Sequence, residues 1–474
     1  MLFFRILLLS VAAFAKPNVD VVIIGGGLSG LSAAKDIAAA GKSFAILEAR
    51  DRVGGRVLNV NLLDGQAEEA GAEFVGPTQD RVLALADSLG LTTYPTYREG
   101  NCSMFRNGTL TTYPFQPSSI PPLSTDVLLE LLALQSGLNS MAAGVNTEAP
   151  WNHPNASIWD NMTVATYLDS KISFSDSRFL LENVITSVLS TEPNEPSLLY
   201  LLAYIAGAAN KTTIGTIGRL INVADGAQES RIDGGTQLLP LKLADRLGAK
   251  NIHLNSPVRE ITLANGQYTV TSEKKKISAK QVIVAMSPPM AGRISYYPLL
   301  PAGRDQLTQR MAMGAIGKAI AIYPYPWWRE LGLNVQGLSD TGSIRVTYDN
   351  TPNDASFGAI MGFIEADEMR KLDDLGEKEV RAEVIKSLVG MFGYQASNPT
   401  RVIIQRWDQE EFSRGGPVAF APPGLLTDYG PHLRAPVGGI HFAGTETSLE
   451  WAGYMDGAIS SGERAAAEVI VALK

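Results

Sequence analysis

The sequence predicts a two-domain α/β protein in which a parallel-sheet domain, assembled from three separated stretches of chain, carries an α+β lobe inserted between them. Three observations predict it. A strand, a glycine-rich turn, a helix and a second strand follow one another from Val21 to Glu48. An apolar strand, the turn Gly444-Thr445-Glu446 and a long helix close the chain. Between these ends, five N-x-Ser/Thr sequons cluster from Asn101 to Asn210, marking a stretch that differs from the rest.

The first unit is the best specified. Val21 to Ile24 is a continuous apolar run, as expected of a strand buried on both faces. The turn Gly25-x-Gly27-x-x-Gly30, which includes Ser29, opens a helix expected from Leu31 to about Ala40 and stopped by Gly41. Gly25 allows the tight turn, Gly27 lets the backbone approach a pyrophosphate at the helix N-terminus, and Gly30 lets helix and strand pack closely. Glu48 ends the second strand, where a carboxylate can accept from both ribose hydroxyls of an adenosine and repel a 2′-phosphate, so NADP is disfavoured. Arg50 and Gly55 then lead to Arg56, expected as a cation beside the diphosphate. Together these make a Rossmann-like dinucleotide-binding unit.

Beyond it, Ile252 to Met286 alternates like strands, with a hairpin at Asn265-Gly266 and a solvated tip at Lys274-Lys275-Lys276. The parallel-sheet domain is expected to comprise residues 16–95, 226–296 and 401–474, and the capping lobe 96–225 and 297–400. That lobe should hold helices at Leu128 to Leu138 and Phe179 to Leu189, a strand at Ala315 to Tyr323 and an ordered loop at Pro114 to Ser124. Arg406 to Gly424 contains Gly415-Gly416-Pro417 and Pro422-Pro423-Gly424 and reads as stiff, irregular backbone.

Composition narrows the function classes. With 474 residues, 45% apolar and 19% charged, the chain can fill two cores, and a formal charge of −8 with a pI near 5.3 argues against a nucleic-acid partner. Cys102 is the only cysteine, so no intrachain disulfide or CxxC pair exists, and with four histidines no metal centre is expected. Lying inside the Asn101 sequon, Cys102 is expected to be shallow. Redox chemistry must then come from a bound cofactor.

Arg5, a short apolar run and Ala13-Phe14-Ala15 form a secretory signal pattern, with cleavage expected after Ala15. The sequons at Asn101, Asn107, Asn155, Asn161 and Asn210 agree with secretion and with one glycosylated, exposed lobe. The sequence ends at Lys474 soon after its last helix, and no transmembrane anchor is expected.

The fingerprint with "EARDRVGGR" resembles the flavin-containing amine oxidase family, which includes monoamine and polyamine oxidases. "GAEFVGPTQDRVLALADSLGL", "DGAQESRIDGGTQLLPLKLADRLG" and "FAGTETSLEWAGYMDGAISSGERAA" are similar to the family's other signatures, in order, over nearly the whole chain. The resemblance implies an FAD-binding Rossmann-like domain of glutathione-reductase-like type with a discontinuous α+β substrate-binding domain. It implies FAD contacts at Gly71, Ala72, Glu73 and Phe74, at the backbone of Val258, at Trp407, and at Gly444, Thr445, Glu446 and Met455. Gly453 to Ala466 reads as the start of a second helix, whose N-terminus near Tyr454-Met455 can stabilise negative charge on a reduced flavin.

Lys318 is the one ionisable residue in the apolar run "MGAIGKAIAIYP", which is costly unless it reaches a partner. The resemblance makes it the lysine that holds a water against flavin N5 and supports reoxidation by O2. It also makes Tyr454 one wall of an aromatic cage. Gly416 aligns with the cysteine that tethers flavin in animal monoamine oxidases and Pro417 with the second cage ring, so FAD should be non-covalent and the second wall must be Phe420 or another ring. Ile221 and Gln228 align with cavity-lining positions. The expected function is oxidation of a small-molecule amine to an imine, with O2 reduced to H2O2. The alternatives left open are L-amino acids, polyamines or a secondary metabolite on the same fold, a flavin scaffold without turnover, and a homodimer.

Overall fold

The computed structural model describes residues 17–62, 65–115 and 121–474; the expected signal segment, and residues 116–120 of the expected ordered loop, lie outside these. An eight-stranded sheet forms the base. The strand Val19–Ile24 runs parallel to Phe44–Leu47 on one side and Lys276–Ala285 on the other, and Ile440–Ala443 pairs in parallel with the latter. Its apolar run faces two cores at once: Val21 and Ile23 pack with Leu31 and Ile459, while Val22 and Ile24 pack with Val282 and Phe442. Burial on both faces is why this strand does not alternate.

The helix Leu28–Ala39 starts three residues before the expected position, because Gly27 is its N-cap and the glycine turn is already its first turn. Gly25 takes φ +106°, and a Cβ at Gly30 would lie 2.0 Å from the Gly25 carbonyl oxygen, so close helix–strand packing needs both glycines. The hairpin forms with two loop residues, Asn265 and Gly266, both at positive φ, between Val258–Ala264 and Gln267–Ser272. Lys274 to Lys276 are exposed at the next turn.

A seven-stranded sheet forms the second layer, in the order Arg401–Arg406, Ile316–Tyr323, Gly358–Glu365, Val346–Asp349, Leu333–Ser339, Asn101–Arg106 and Thr109–Pro114. Residues 401–406, assigned by sequence to the cofactor domain, are instead the edge of this sheet, paired through Lys318↔Gln405. Helices Thr125–Ala143, Ser175–Leu189 and Leu198–Gly207 pack beside it around Leu138, Ile185 and Leu202. Trp451 and Val418 join that helical core, so the C-terminal segment clamps both layers.

Cys102 is not shallow. It lies in the sheet interior, 1% exposed, with its Sγ accepting from Asn334 Nδ2 at 3.5 Å. Its sequon residue Asn101 is half-buried in the same strand, and Asn210 is half-buried with Nδ2 on Asp80 at 2.9 Å. Asn107, Asn155 and Asn161 are exposed. Among the described residues no helix is long and apolar enough to cross a membrane.

Candidate active site

One cavity of about 650 Å³ runs between the two sheets. At one end it meets two helix N-termini. The helix Leu28–Ala39 has no side-chain cap and no acidic residue in its first turn, so the N–H groups of Leu28, Ser29 and Gly30 have no intrahelical partner. The helix Met455–Ala472 also lacks a side-chain cap. It begins at Met455 and not at Gly453, whose φ of +87° is incompatible with a helix. Its first-turn acid, Asp456, turns away and accepts from the backbone N–H of Arg81 and Val82 at 2.7 and 2.9 Å. Two positive helix ends therefore face one space, as a diphosphate and a ring gaining negative charge require.

Glu48 is buried with both oxygens oriented by backbone, Oε2 accepting from Gly26 N at 2.6 Å and Oε1 from Arg50 N at 2.8 Å. Each oxygen keeps a further lone pair for a ribose hydroxyl. Val258 lines the same cavity, as do Gly25, Gly27, Ser29, Arg50, Gly55, Gly71, Ala72 and Phe74. The Ser29 hydroxyl is occupied, accepting from Gly444 N at 2.9 Å and lying 2.9 Å from Ser461 Oγ, so it ties the two ends of the chain together.

Three expected site residues lie off the cavity wall. Gly30 serves packing. Glu446 sits behind Arg56, binding its guanidinium at 2.7 and 3.2 Å, while Arg56 Nη1 also donates to the Pro417 carbonyl at 2.6 Å. Arg56 thus braces the glycine turn against the 406–424 loop, and its charge at the cavity wall is already paired with Glu446. Phe420 is 3% exposed in the short strand Ala419–Phe420, paired with Ala312, and does not replace the second cage ring.

The 406–424 loop is held at more points than its composition reveals. Trp407 Nε1 donates to Ala70 O at 2.9 Å, and Arg50 reaches Ser413 Oγ at 2.9 Å and Glu410 at 3.3 Å. Trp407, Gly416 and Pro417 line the cavity, as do Thr445 and Gly444 from the closing turn. Tyr454 stands on the wall between two rings, T-shaped to Trp451 at 4.9 Å and tilted against Tyr204 at 6.3 Å. At that separation Tyr204 backs Tyr454 and leaves no gap for a ligand between them.

Lys318 is 3% exposed and satisfied: Nζ donates to Glu73 Oε2 at 2.5 Å and to Glu69 O at 2.9 Å. Sequence reasoning found the lysine and Glu73 separately and missed their pairing, along with Glu68, Glu69 and Arg231. Arg231 binds Glu69 at 2.7 and 3.0 Å and lies 3.3 Å from Glu73. Burial pushes Glu68 up to about 8 and raises Glu69 as well. Burial also pulls Arg231 down, but its carboxylate neighbours outweigh that and hold it above its ordinary value.

On the side of the second sheet and the helices the cavity is lined by Tyr113, Leu180, Val184, Ile221, Tyr348 and Phe363, with the amides of Asn183, Gln228 and Gln336 among them. Gln228 donates to Leu220 O at 3.0 Å. Five arginines line the cavity: Arg50, Arg56, Arg259 and Arg293 come from the first-sheet side and Arg414 from the 406–424 loop, where Glu411 lines it too.

Residues 28–470 match the sequence profile of the family described as Flavin containing amine oxidoreductase. The chain is 39% identical over 456 residues to AofH of Mycobacterium tuberculosis, covering 96% of this chain and 97% of that one. It is 36% identical over 465 residues to the flavin-containing amine oxidase A of Sus scrofa, covering 96% and 85%. Among solved structures, cyclohexylamine oxidase from Brevibacterium oxydans IH-35A superposes with a TM-score of 0.90 at 33% identity, covering 96% of this chain and all of that one. Putrescine oxidase bound to putrescine gives 0.89 at 32% identity, covering 96% and 99%.

Proposed function

Because the chain belongs to the flavin-containing amine oxidoreductase family and is a flavin-dependent oxidoreductase acting on amines, we propose that it holds FAD non-covalently in this cavity and oxidises a monoamine with an apolar body, using O2 as acceptor. The flavin, when bound, accepts hydrogen from the C–H beside the amine and passes electrons to O2, giving an imine and H2O2. The protein's part is to bind, orient and dehydrate the amine. Glu48, Val258 and the N-terminus of the helix Leu28–Ala39 would hold the adenosine and diphosphate, the N-terminus of Met455–Ala472 would face the flavin ring, and Tyr454 would orient the amine nitrogen through its ring face.

The cavity lining on the side of the second sheet and the helices carries the substrate reading. A polyamine needs a carboxylate for its second ammonium, and an amino acid needs a cation for its carboxylate. Of the lining carboxylates, Glu73 is bound by Lys318, Glu48 by backbone N–H groups, and Glu411 lies 3.8 Å from Arg259; the lining arginines stand on the first-sheet side or, as Arg414, in the 406–424 loop. The second-sheet side offers apolar rings and neutral amides, which suit a neutral body. Non-covalent binding is supported by Gly416, which has no side chain to form a tether. We further propose secretion, supported by the N-terminal pattern and the exposed Asn107, Asn155 and Asn161. A mobility shift on enzymatic deglycosylation of protein from a eukaryotic host should track these three asparagines, and an unmodified protein would refute it.

Anaerobic mixing of the holoprotein with a panel of aromatic and alkyl monoamines, diamines and L-amino acids tests the function. Flavin absorbance should bleach with monoamines. Bleaching with diamines or amino acids alone would overturn the substrate reading, and bleaching with none would overturn turnover itself.

A further inference from the structure

Five buried ionisable side chains meet at and behind the Lys318 wall of the cavity, and their formal charges do not cancel. Glu68, Glu69 and Glu73 face two cations, Lys318 and Arg231, and none of the five is more than 4% exposed. An uncompensated charge in so dry a place is costly, so one carboxyl should keep its proton.

The partners indicate which. Glu69 accepts twice from Arg231 and once from Thr236 N at 2.8 Å. Glu73 accepts from Lys318 at 2.5 Å and stands 3.3 Å from Arg231. Among the described residues Glu68 makes no ion pair: the Asn350 amide holds Oε2, and Oε1 has no hydrogen-bond partner. The other titratable groups near the cluster are the phenols of Tyr94, which sits under Arg231 at 5.5 Å, and Tyr348, both pushed up by burial and therefore neutral. Of the five charged residues only Lys318 and Glu73 line the cavity.

We propose that Glu73 is a positioning residue that fixes the Lys318 ammonium at the cavity wall and cancels its charge, while Glu68 keeps the proton that leaves the cluster neutral, so that the Glu73–Lys318 pair sets the reduction potential of the flavin beside it. This rests on the flavin reading above. A net charge fixed at the wall would change how readily the ring accepts electrons, and the pair sets the potential by holding that net charge at zero. The same network explains how a lysine can remain in the middle of an apolar strand.

Midpoint potentials of the purified holoprotein at pH 7, measured by dye-coupled reduction, test this. Glu73→Gln leaves Lys318 uncompensated and should shift the reduced-to-oxidised ratio at fixed potential at least tenfold toward reduced, about 30 mV for a two-electron couple. Lys318→Met should shift it as far the other way. The Glu73→Gln/Lys318→Met double variant, neutral again, should return to within threefold of the starting protein, and so should Glu68→Gln, which replaces a group already uncharged.

Equal potentials for Glu73→Gln and the unmodified protein would overturn the proposal, as would a Glu68→Gln shift as large as that of Glu73→Gln. If Glu73→Gln yields no holoprotein, Lys318→Met and Glu68→Gln decide it: a silent Lys318→Met or a shifted Glu68→Gln overturns it. Failure of the unmodified protein to bind flavin would count against the family-based reading and is distinguishable from either result.

Discussion

Glu68 should make this protein lose stability as pH rises, and Glu68→Gln should remove that loss. The carboxyl is 1% exposed, and burial pushes it up to about 8 from an ordinary 4.5. The native state therefore holds a proton that the unfolded chain releases once pH passes 4.5. Where the unfolded state binds fewer protons, unfolding free energy falls with pH, and here it falls from about 4.5 until the native group ionises near 8. At about 1.4 kcal/mol per pH unit, the loss attributable to Glu68 reaches about 3 kcal/mol at pH 7 and about 5 kcal/mol above pH 8.

Glutamine keeps an oxygen for the Asn350 amide and carries its own hydrogens where the proton sat. Denaturant unfolding of the apoprotein at half-unit steps from pH 5 to 9 reads the effect without depending on catalysis. The stability of Glu68→Gln relative to the unmodified protein should climb steadily between pH 5 and 8 and level off beyond. Parallel stability curves across that range would refute the reasoning, because they would mean that Glu68 binds no extra proton in the native state.

Acid precipitation should release all the yellow colour into the supernatant, and colour left in the pellet would disprove a non-covalent flavin. Lys318→Met should slow stopped-flow reoxidation by O2 much more than anaerobic reduction; equal slowing of both would remove its assigned role. Arg56→Ala strips the partner from Glu446, whose side chain is fully buried, and should cost about 3–5 kcal/mol in unfolding free energy together with flavin occupancy. Gly30→Ala places a Cβ 2.0 Å from the Gly25 carbonyl oxygen and should abolish flavin content in whatever soluble protein remains, as read by the absorbance ratio of flavin to protein.

What was readable along the chain was backbone geometry. The glycine turn, the Asn265-Gly266 hairpin and the strand around Lys318 all stand where their local patterns put them, because turn chemistry and side-chain periodicity act over a few residues. Boundaries were less secure: the helix after Gly27 begins earlier than its apolar period suggested, and residues 401–406 join the other sheet because a strand's partner is chosen by the whole layer. Cys102 is buried and not shallow for the same reason, since a sequon carries no information about whether its strand lies at an edge or between neighbours.

The sequence by itself determined the cofactor class: GxGxxG, Glu48 and the closing glycine turn each encode a local shape that a dinucleotide fits. Only the tertiary structure decided the electrostatics around it. Lys318 meets Glu73 across 245 residues, Arg231 meets Glu69 across 162 and Arg56 meets Glu446 across 390, and no spacing rule spans such separations. Each pair is fixed by strand register and by the desolvation that makes an unpaired charge intolerable once the sheets close over it. Local sequence thus chose what could be bound, and the packing of distant segments chose which charges would be free to act on it.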